Sequence, residues 1–146
     1  MMRSEKEEKA VMEIAWKKTY EVGNLEIDAE HKIFVRIIQK IQRALEHTTE
    51  KGYLERLVIE LYKYADFHFC SEENVMIAVG YPELAHHQEA HKQLLVELSS
   101  LISVFGEEKR ELQNLPQFLM NWFVNHTLAE DKKVGNYIKH EGTSSQ

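Results

Sequence analysis

Apolar residues recur at spacings of three and four along four separate segments of this chain, which is the periodicity of amphipathic helices. The four segments cover about 29–47, 53–79, 82–105 and the region that follows 114. We expect Asp28, Pro82 and Asn114 near the starts of the first, third and fourth helices, and Gly80 and Gly106 at the ends of the second and third. Four long helices with short connections predict an all-α fold, an antiparallel up-down-up-down four-helix bundle.

An N-terminal arm precedes the first helix. It carries Trp16, Tyr20, Val22 and Ile27, and we expect it to be extended and packed on the bundle. The 146 residues are expected to form one domain, 1–146, with flexible tails at about 1–12 and 141–146.

The charge and cysteine content exclude several classes of protein. A net charge of −6 disfavours both a nucleic-acid binder and a protein that docks on anionic membranes. The single cysteine, Cys70, rules out an internal disulfide framework. The first residues are charged and lack an apolar signal region, and no apolar run is long enough to span a bilayer. We therefore expect a cytoplasmic protein.

Histidines and one glutamate interrupt the apolar faces of all four helices. They are His31 on the first, His68 and Glu72 on the second, His87 and His91 on the third, and His126 on the fourth. Residues four apart share a helix face, and an antiparallel bundle would bring all of these positions to the same end. Imidazoles and carboxylates in an interior suit iron, zinc or manganese, so the pattern predicts a two-metal site inside the bundle.

Each of these features has a plainer interpretation when taken alone. A single histidine on an apolar face is more often a hydrogen-bonded core residue, and a lone pair at a spacing of four arises by chance. His86 lies about 100° around the helix from His87, which indicates a surface position or, at most, a supporting one. Cys70 lies about 200° from His68 and is interpreted as a non-ligand. The presence of inner-face ligands on all four helices is what favours the metal site.

Two acids follow His126 on the fourth helix. Glu130 comes four residues later and is in phase with it, whereas Asp131 comes five later and would be about 140° off that face in a regular α-helix.

Together these motifs resemble the hemerythrin family, in particular its bacterial single-domain members. The resemblance spans Trp16 to Tyr137 and is carried by Trp16, Tyr20 and Gly23 of the arm and by the stretches IDAEH at 27–31, HFCSEENVM at 68–76, YPELAHHQEAH at 81–91 and WFVNHTLAED at 122–131. The combination of H-x-x-x-E, H-x-x-x-H and H-x-x-x-x-D, in that order on separate helices, is specific.

The resemblance implies a non-haem di-iron centre with an oxo or hydroxo bridge. By this likeness one iron is bound by His87, His91 and His126, and the other by His31 and His68. Glu72 and Asp131 are implied as bridging ligands. Choosing Asp131 over Glu130 requires a locally widened, π-helical turn after His126.

The resemblance also implies an O₂ pocket beside the metal site. Phe69, Trp122, Phe123 and Thr127 are its expected lining. Thr127 stands where the family commonly has isoleucine. Its hydroxyl would either admit water and shorten the lifetime of bound O₂, or turn to the helix backbone.

Reversible O₂ binding, for transport, storage or sensing, is the function that these observations favour. A histidine-rich ligand set favours binding of O₂ over its activation. The expected partners are O₂ and a protein that receives O₂ or a signal, with no nucleic acid and no membrane. The alternatives are a di-iron oxidase, peroxidase or NO-handling enzyme, and a structural or zinc-binding bundle.

Overall fold

The computed structural model describes residues 14–47, 50–103 and 113–144. Its helices are α1 (Leu25–His47), α2 (Lys51–Val79), α3 (Leu84–Ser103), α4 (Leu115–His126) and α5 (Lys132–Ser144). A π-helical turn, Thr127–Asp131, joins α4 to α5 without a break, so the three segments form one long fourth rod. The all-α four-helix bundle is confirmed.

Consecutive rods run antiparallel, as contacts between them show. Lys40 in the second half of α1 lies 3.1 Å from Glu60 in the first half of α2. His31 near the start of α1 packs on His68 in the second half of α2, with 4.8 Å between ring centroids. The same reversal is seen in two further pairs, Glu73 with Gln88 and His87 with Asp131.

The apolar core consists of two clusters separated along the bundle axis. The larger one includes Phe34, Leu61 and Leu119, and the smaller one consists of Val22, Ile27, Met76, Tyr81 and Val134. Along each rod the interrupting histidines and Glu72 fall at or next to the boundary between these two clusters. The polar positions are therefore enclosed by apolar packing on both sides, which keeps water away from them.

The first helix begins earlier than predicted, and its cap is a different residue. Asp28 was expected to cap it, but α1 starts at Leu25, and the Asn24 side chain accepts a hydrogen bond from the Ile27 N–H at 3.0 Å. Asp28 instead accepts hydrogen bonds from the N–H groups of Val22 at 2.8 Å and Gly23 at 3.2 Å. The carboxylate thus ties the arm to the helix, a role that local spacing could not distinguish from a cap.

The turn between α2 and α3 differs from the prediction at only one end. Gly80 ends α2 in the left-handed conformation, with φ of 67°, as expected. Pro82 does not begin α3, because it lies in the turn and the helix starts at Leu84. The predicted end of the third helix at Gly106 lies outside the described residues.

The arm packs on the bundle, as predicted, but it is not extended throughout. Lys18–Tyr20 form a short 3₁₀ turn. Ile14, Tyr20 and Val22 are buried, and Gln39 of α1 donates a hydrogen bond to the Ile14 carbonyl at 2.7 Å. Of the two expected tails, 1–12 lies outside the described residues, and α5 continues through the second as far as Ser144. Among the described residues, the helices are too short or too polar to cross a membrane.

Gly135 is the point at which the arm approaches α5 most closely. A Cβ at this position would overlap the Val22 carbonyl. We expect Gly135→Ala to lower the free energy of unfolding by about 1–3 kcal/mol, as overpacking of a rigid contact does. Gly52→Ala is the matched control, because a Cβ there meets nothing within 4 Å. Urea unfolding of both variants measures the effect, and equal stabilities would contradict it.

Candidate metal centre

Seven buried or nearly buried side chains meet at one depth in the bundle and form two overlapping clusters. Glu72 and Asp131 belong to both clusters. One cluster adds His87, His91 and His126, and the other adds His31 and His68. Within each cluster the candidate ligand atoms lie within 4.8 Å of one another. The structure therefore brings together every residue that the sequence predicted as a metal ligand.

Glu72 lies between the clusters and turns one oxygen toward each. Its Oε1 is 2.8 Å from Nε2 of His87 and 3.1 Å from Nε2 of His91. Its Oε2 is 3.4 Å from Nε2 of His68 and 3.7 Å from Nε2 of His31. A carboxylate in this position can bridge two cations, one on each oxygen.

Asp131 has the same divided arrangement from the opposite side. Its Oδ1 is 3.0 Å from Nε2 of both His87 and His126, and its Oδ2 is 2.9 Å from Nε2 of His31. The π-helical turn makes this arrangement possible, because the wider turn rotates a residue five positions after His126 back onto the inner face. The widened turn predicted for the choice of Asp131 is thus confirmed.

The neighbouring residues that were not predicted as metal ligands lie outside the centre. Glu130 is partly exposed and faces away, 3.8 Å from His86 and 4.0 Å from Lys133. The His86 side chain is 67% exposed. Cys70 is exposed as well. None of them contributes to the two clusters.

Buried charges of opposite sign dominate the electrostatics of the centre. Burial raises the pKa of Glu72, but hydrogen bonds from the surrounding histidines outweigh it and hold that pKa well below the usual value. Burial lowers the pKa of His31 and His87, yet the short contacts with the carboxylates of Asp131 and Glu72 raise these pKa values to about 9 and about 10. The carboxylates are thus ionised and attract positive charge to the space between the rods. Divalent cations can replace protons in such a space.

Several atoms of the centre lie close to other polar atoms but make no aligned hydrogen bond among the described residues. They are Nε2 of His68 and His126, Oε2 of Glu72 and Oδ1 of Asp131, all buried. Unpaired buried polar atoms are costly. A metal ion requires several lone pairs that converge on one point. These atoms lie close together without aligned hydrogen bonds, so the residues fit a bound metal.

Two further carboxylates support the histidines from outside. Glu30 Oε1 lies 2.7 Å from Nδ1 of His68, and Glu73 Oε2 lies 2.7 Å from Nδ1 of His91. An imidazole that donates its Nδ1 proton to a carboxylate keeps the Nε2 lone pair free for a metal. Sequence reasoning missed both residues. The only signal was their position next to a predicted ligand, Glu30 before His31 and Glu73 after Glu72.

We expect Glu30→Gln and Glu73→Gln each to weaken metal binding by about 10–100-fold, the usual effect of losing such a partner. Competition titrations against a chelator measure this loss. The matched control is Glu60→Gln, which changes an exposed ion pair with Lys40 far from the centre. Affinities in Glu30→Gln and Glu73→Gln equal to those of the control would show that the carboxylates do not support the ligands.

Aromatic rings surround the centre on the side of the larger core cluster. Phe69 stacks on His91 with 4.0 Å between ring centroids. Phe34 meets His68 edge-on at 5.2 Å, and Phe123 meets His31 edge-on at 5.3 Å. These contacts hold the imidazoles in place and surround them with apolar surface.

A cavity of about 10 Å³ adjoins the centre, with room for about one water-sized molecule. All four predicted pocket residues, Phe69, Trp122, Phe123 and Thr127, line it. Its wall is completed by His31, His68, His126, Asp131, Phe34 and Leu94. The cavity therefore borders both histidines of the two-histidine cluster. Phe34 and Leu94 were not predicted as pocket residues, because their spacing is that of ordinary core positions.

Comparison with known proteins agrees with this geometry. The family model described as the hemerythrin HHE cation binding domain matches residues 23–138, a range that contains all seven side chains. A bacteriohemerythrin of Clostridium acetobutylicum is 27% identical over 123 residues, which cover 81% of this chain and 95% of the relative. A bacteriohemerythrin of Methylococcus capsulatus is 28% identical over 109 residues, covering 74% and 82%. A crystal structure of wild-type hemerythrin superposes with a TM-score of 0.74 at 25% identity and covers 88% of this chain and 98% of that one.

Proposed function

Because this chain belongs to the hemerythrin family, whose domain model matches residues 23–138, we propose that it binds O₂ reversibly at a non-haem di-iron centre. One observation carries the proposal: Glu72 and Asp131 belong to both histidine clusters, and each turns one carboxylate oxygen toward each cluster. Two cations, bridged by these two carboxylates, would give every buried ligand atom of the centre a partner.

The two metals would have different numbers of protein ligands. His87, His91 and His126 would bind one iron, and His31 and His68 the other, with Glu72 and Asp131 bridging the two. When bound, ferrous iron supplies the electrons that O₂ takes up on binding and gives back on release. The cluster with two histidines has one protein ligand fewer, and the cavity borders both of its histidines but only His126 of the other cluster. We therefore place the O₂ position beside His31 and His68.

The size and lining of the cavity support gas binding over turnover of an organic substrate. Pockets for drug-sized molecules occupy about 300–1,000 Å³, whereas this cavity measures about 10 Å³. Its apolar rings exclude water, which protects bound O₂ from proton-assisted loss. The chain is accordingly proposed to carry, store or sense O₂ without turning over a substrate.

Optical spectra of the iron-loaded protein test this proposal. The reduced protein under nitrogen is expected to be colourless, to gain visible absorption in air and to lose it again under vacuum. Protein loaded with zinc is the control and is expected to stay colourless throughout. Direct conversion of the ferrous protein to a stable oxidised spectrum, with no reversible stage, would contradict reversible binding.

A further inference from the structure

Thr127 lines the cavity and carries a buried hydroxyl that makes no hydrogen bond within the described part of the chain. The residue is 1% exposed, and its Oγ1 has no hydrogen-bond partner among the described residues. A threonine in a helix ordinarily bonds to a carbonyl of the preceding turn, but here that bond is not made. Since buried hydroxyls are rarely left unpaired, this one is available to a molecule in the cavity.

The indole N–H of Trp122 has the same property. Trp122 also lines the cavity, and its Nε1 is buried without a partner among the described residues. The neighbouring walls contributed by Phe34, Leu94 and Phe123 offer no hydrogen-bonding side-chain group. Apart from the metal-binding side chains on one side, the rest of the wall is apolar, so two unused donors favour an occupant that accepts hydrogen bonds.

We propose that the Thr127 hydroxyl donates a hydrogen bond to the ligand held in this cavity and thereby selects small ligands that carry negative charge when bound. The proposal rests on the proposed function, because it takes the cavity as the position of the iron ligand. Small anions such as azide carry this charge already, and O₂ would acquire it from bound iron. A hydrogen bond to a charged acceptor is about twice as strong as a neutral one, so the effect of Thr127 is largest for such ligands.

Azide binding to the oxidised, iron-loaded protein tests the proposal. We expect Thr127→Val, which removes the hydroxyl and keeps the branched shape, to weaken azide binding by about 10–100-fold. Thr127→Ser keeps the hydroxyl and should stay within about threefold of the wild type. Thr127→Ala is a second variant without the hydroxyl, so the test does not depend on the folding of one protein. Thr19→Val makes the same change at an exposed position of the arm and serves as the matched control.

The infrared band of bound azide gives an independent measurement. A hydroxyl donor makes this band shift between H₂O and D₂O. We expect the shift in the wild type and in Thr127→Ser, and a smaller shift in Thr127→Val and Thr127→Ala. An azide affinity of the hydroxyl-free variants within threefold of the wild type, or an unchanged isotope shift, would overturn the proposal.

The rate of O₂ release separates this proposal from the proposed function. If the wild type binds O₂ reversibly, Thr127→Val is expected to release it about 10–100-fold faster than the wild type. If the wild type does not bind O₂ reversibly, the proposed function fails, while the azide measurements still decide the role of Thr127.

Discussion

Replacing Glu72 by glutamine is expected to empty both metal positions at once. Glu72 is fully buried and turns one carboxylate oxygen toward each histidine cluster. The amide of glutamine has nearly the same shape but no charge and only one acceptor oxygen. We expect the affinity for iron to fall by more than about 100-fold at both positions, beyond the loss caused by a supporting residue.

Iron analysis after gel filtration measures this loss directly. Glu97→Gln, an exposed position of α3, is the matched control and should keep the iron content of the wild type. Helical content measured by circular dichroism establishes that the Glu72 variant is folded. A folded Glu72→Gln protein that retains both irons would show that the carboxylate is not a bridging ligand.

Removing the metal is expected to lower the melting temperature by about 10–20 °C. Ligands that bind only the folded state stabilise it by mass action, by about 4 kcal/mol at a concentration 1,000-fold above the dissociation constant. For a domain of this size each kcal/mol corresponds to several degrees. Without metal, Glu72 and Asp131 remain buried, and protons on the surrounding histidines must supply the positive charge that keeps both carboxylates ionised.

Thermal unfolding with and without a chelator measures this stabilisation. The Glu72→Gln variant provides the internal control, because a protein that no longer binds iron should melt at the same temperature in both conditions. A wild-type melting temperature that the chelator leaves unchanged would indicate that the bundle is stable independently of any metal at this centre.

The fold and the positions of the ligands could be predicted because both depend on helical periodicity. His31, His68, His87 and His126 share their helix faces with ordinary core residues, and the antiparallel topology then brings them to one depth. Asp131 could be chosen over Glu130 only through the likeness to hemerythrins. The physical reason became visible in the π-helical turn, which changes the number of residues per turn after His126.

The parts that sequence reasoning missed depend on contacts between segments distant along the chain. Asp28 has the composition of a helix cap, but its carboxylate bonds to the arm at Val22 and Gly23. Glu30 and Glu73 look like solvent-facing acids of their helices, and only the packing of neighbouring rods brings them to His68 and His91. Local spacing carries no information about such partners.

The hydroxyl of Thr127 is a similar case. The sequence was compatible with two positions of this hydroxyl, one in contact with water and one hydrogen-bonded to the helix backbone. The structure shows no such backbone bond among the described residues and places Thr127 in the cavity wall. The π-helical turn begins at this residue, and local spacing carries no information about the direction of its hydroxyl.

Anomalous diffraction at the iron edge from crystals of the iron-loaded protein would locate both metals. We expect two iron peaks roughly 3.5–4 Å apart, the spacing of paired metal sites. One peak should lie among His87, His91 and His126, the other beside His31 and His68, with Glu72 and Asp131 contacting both. A single peak, or two peaks without a shared carboxylate, would show that the bundle does not hold two bridged metals.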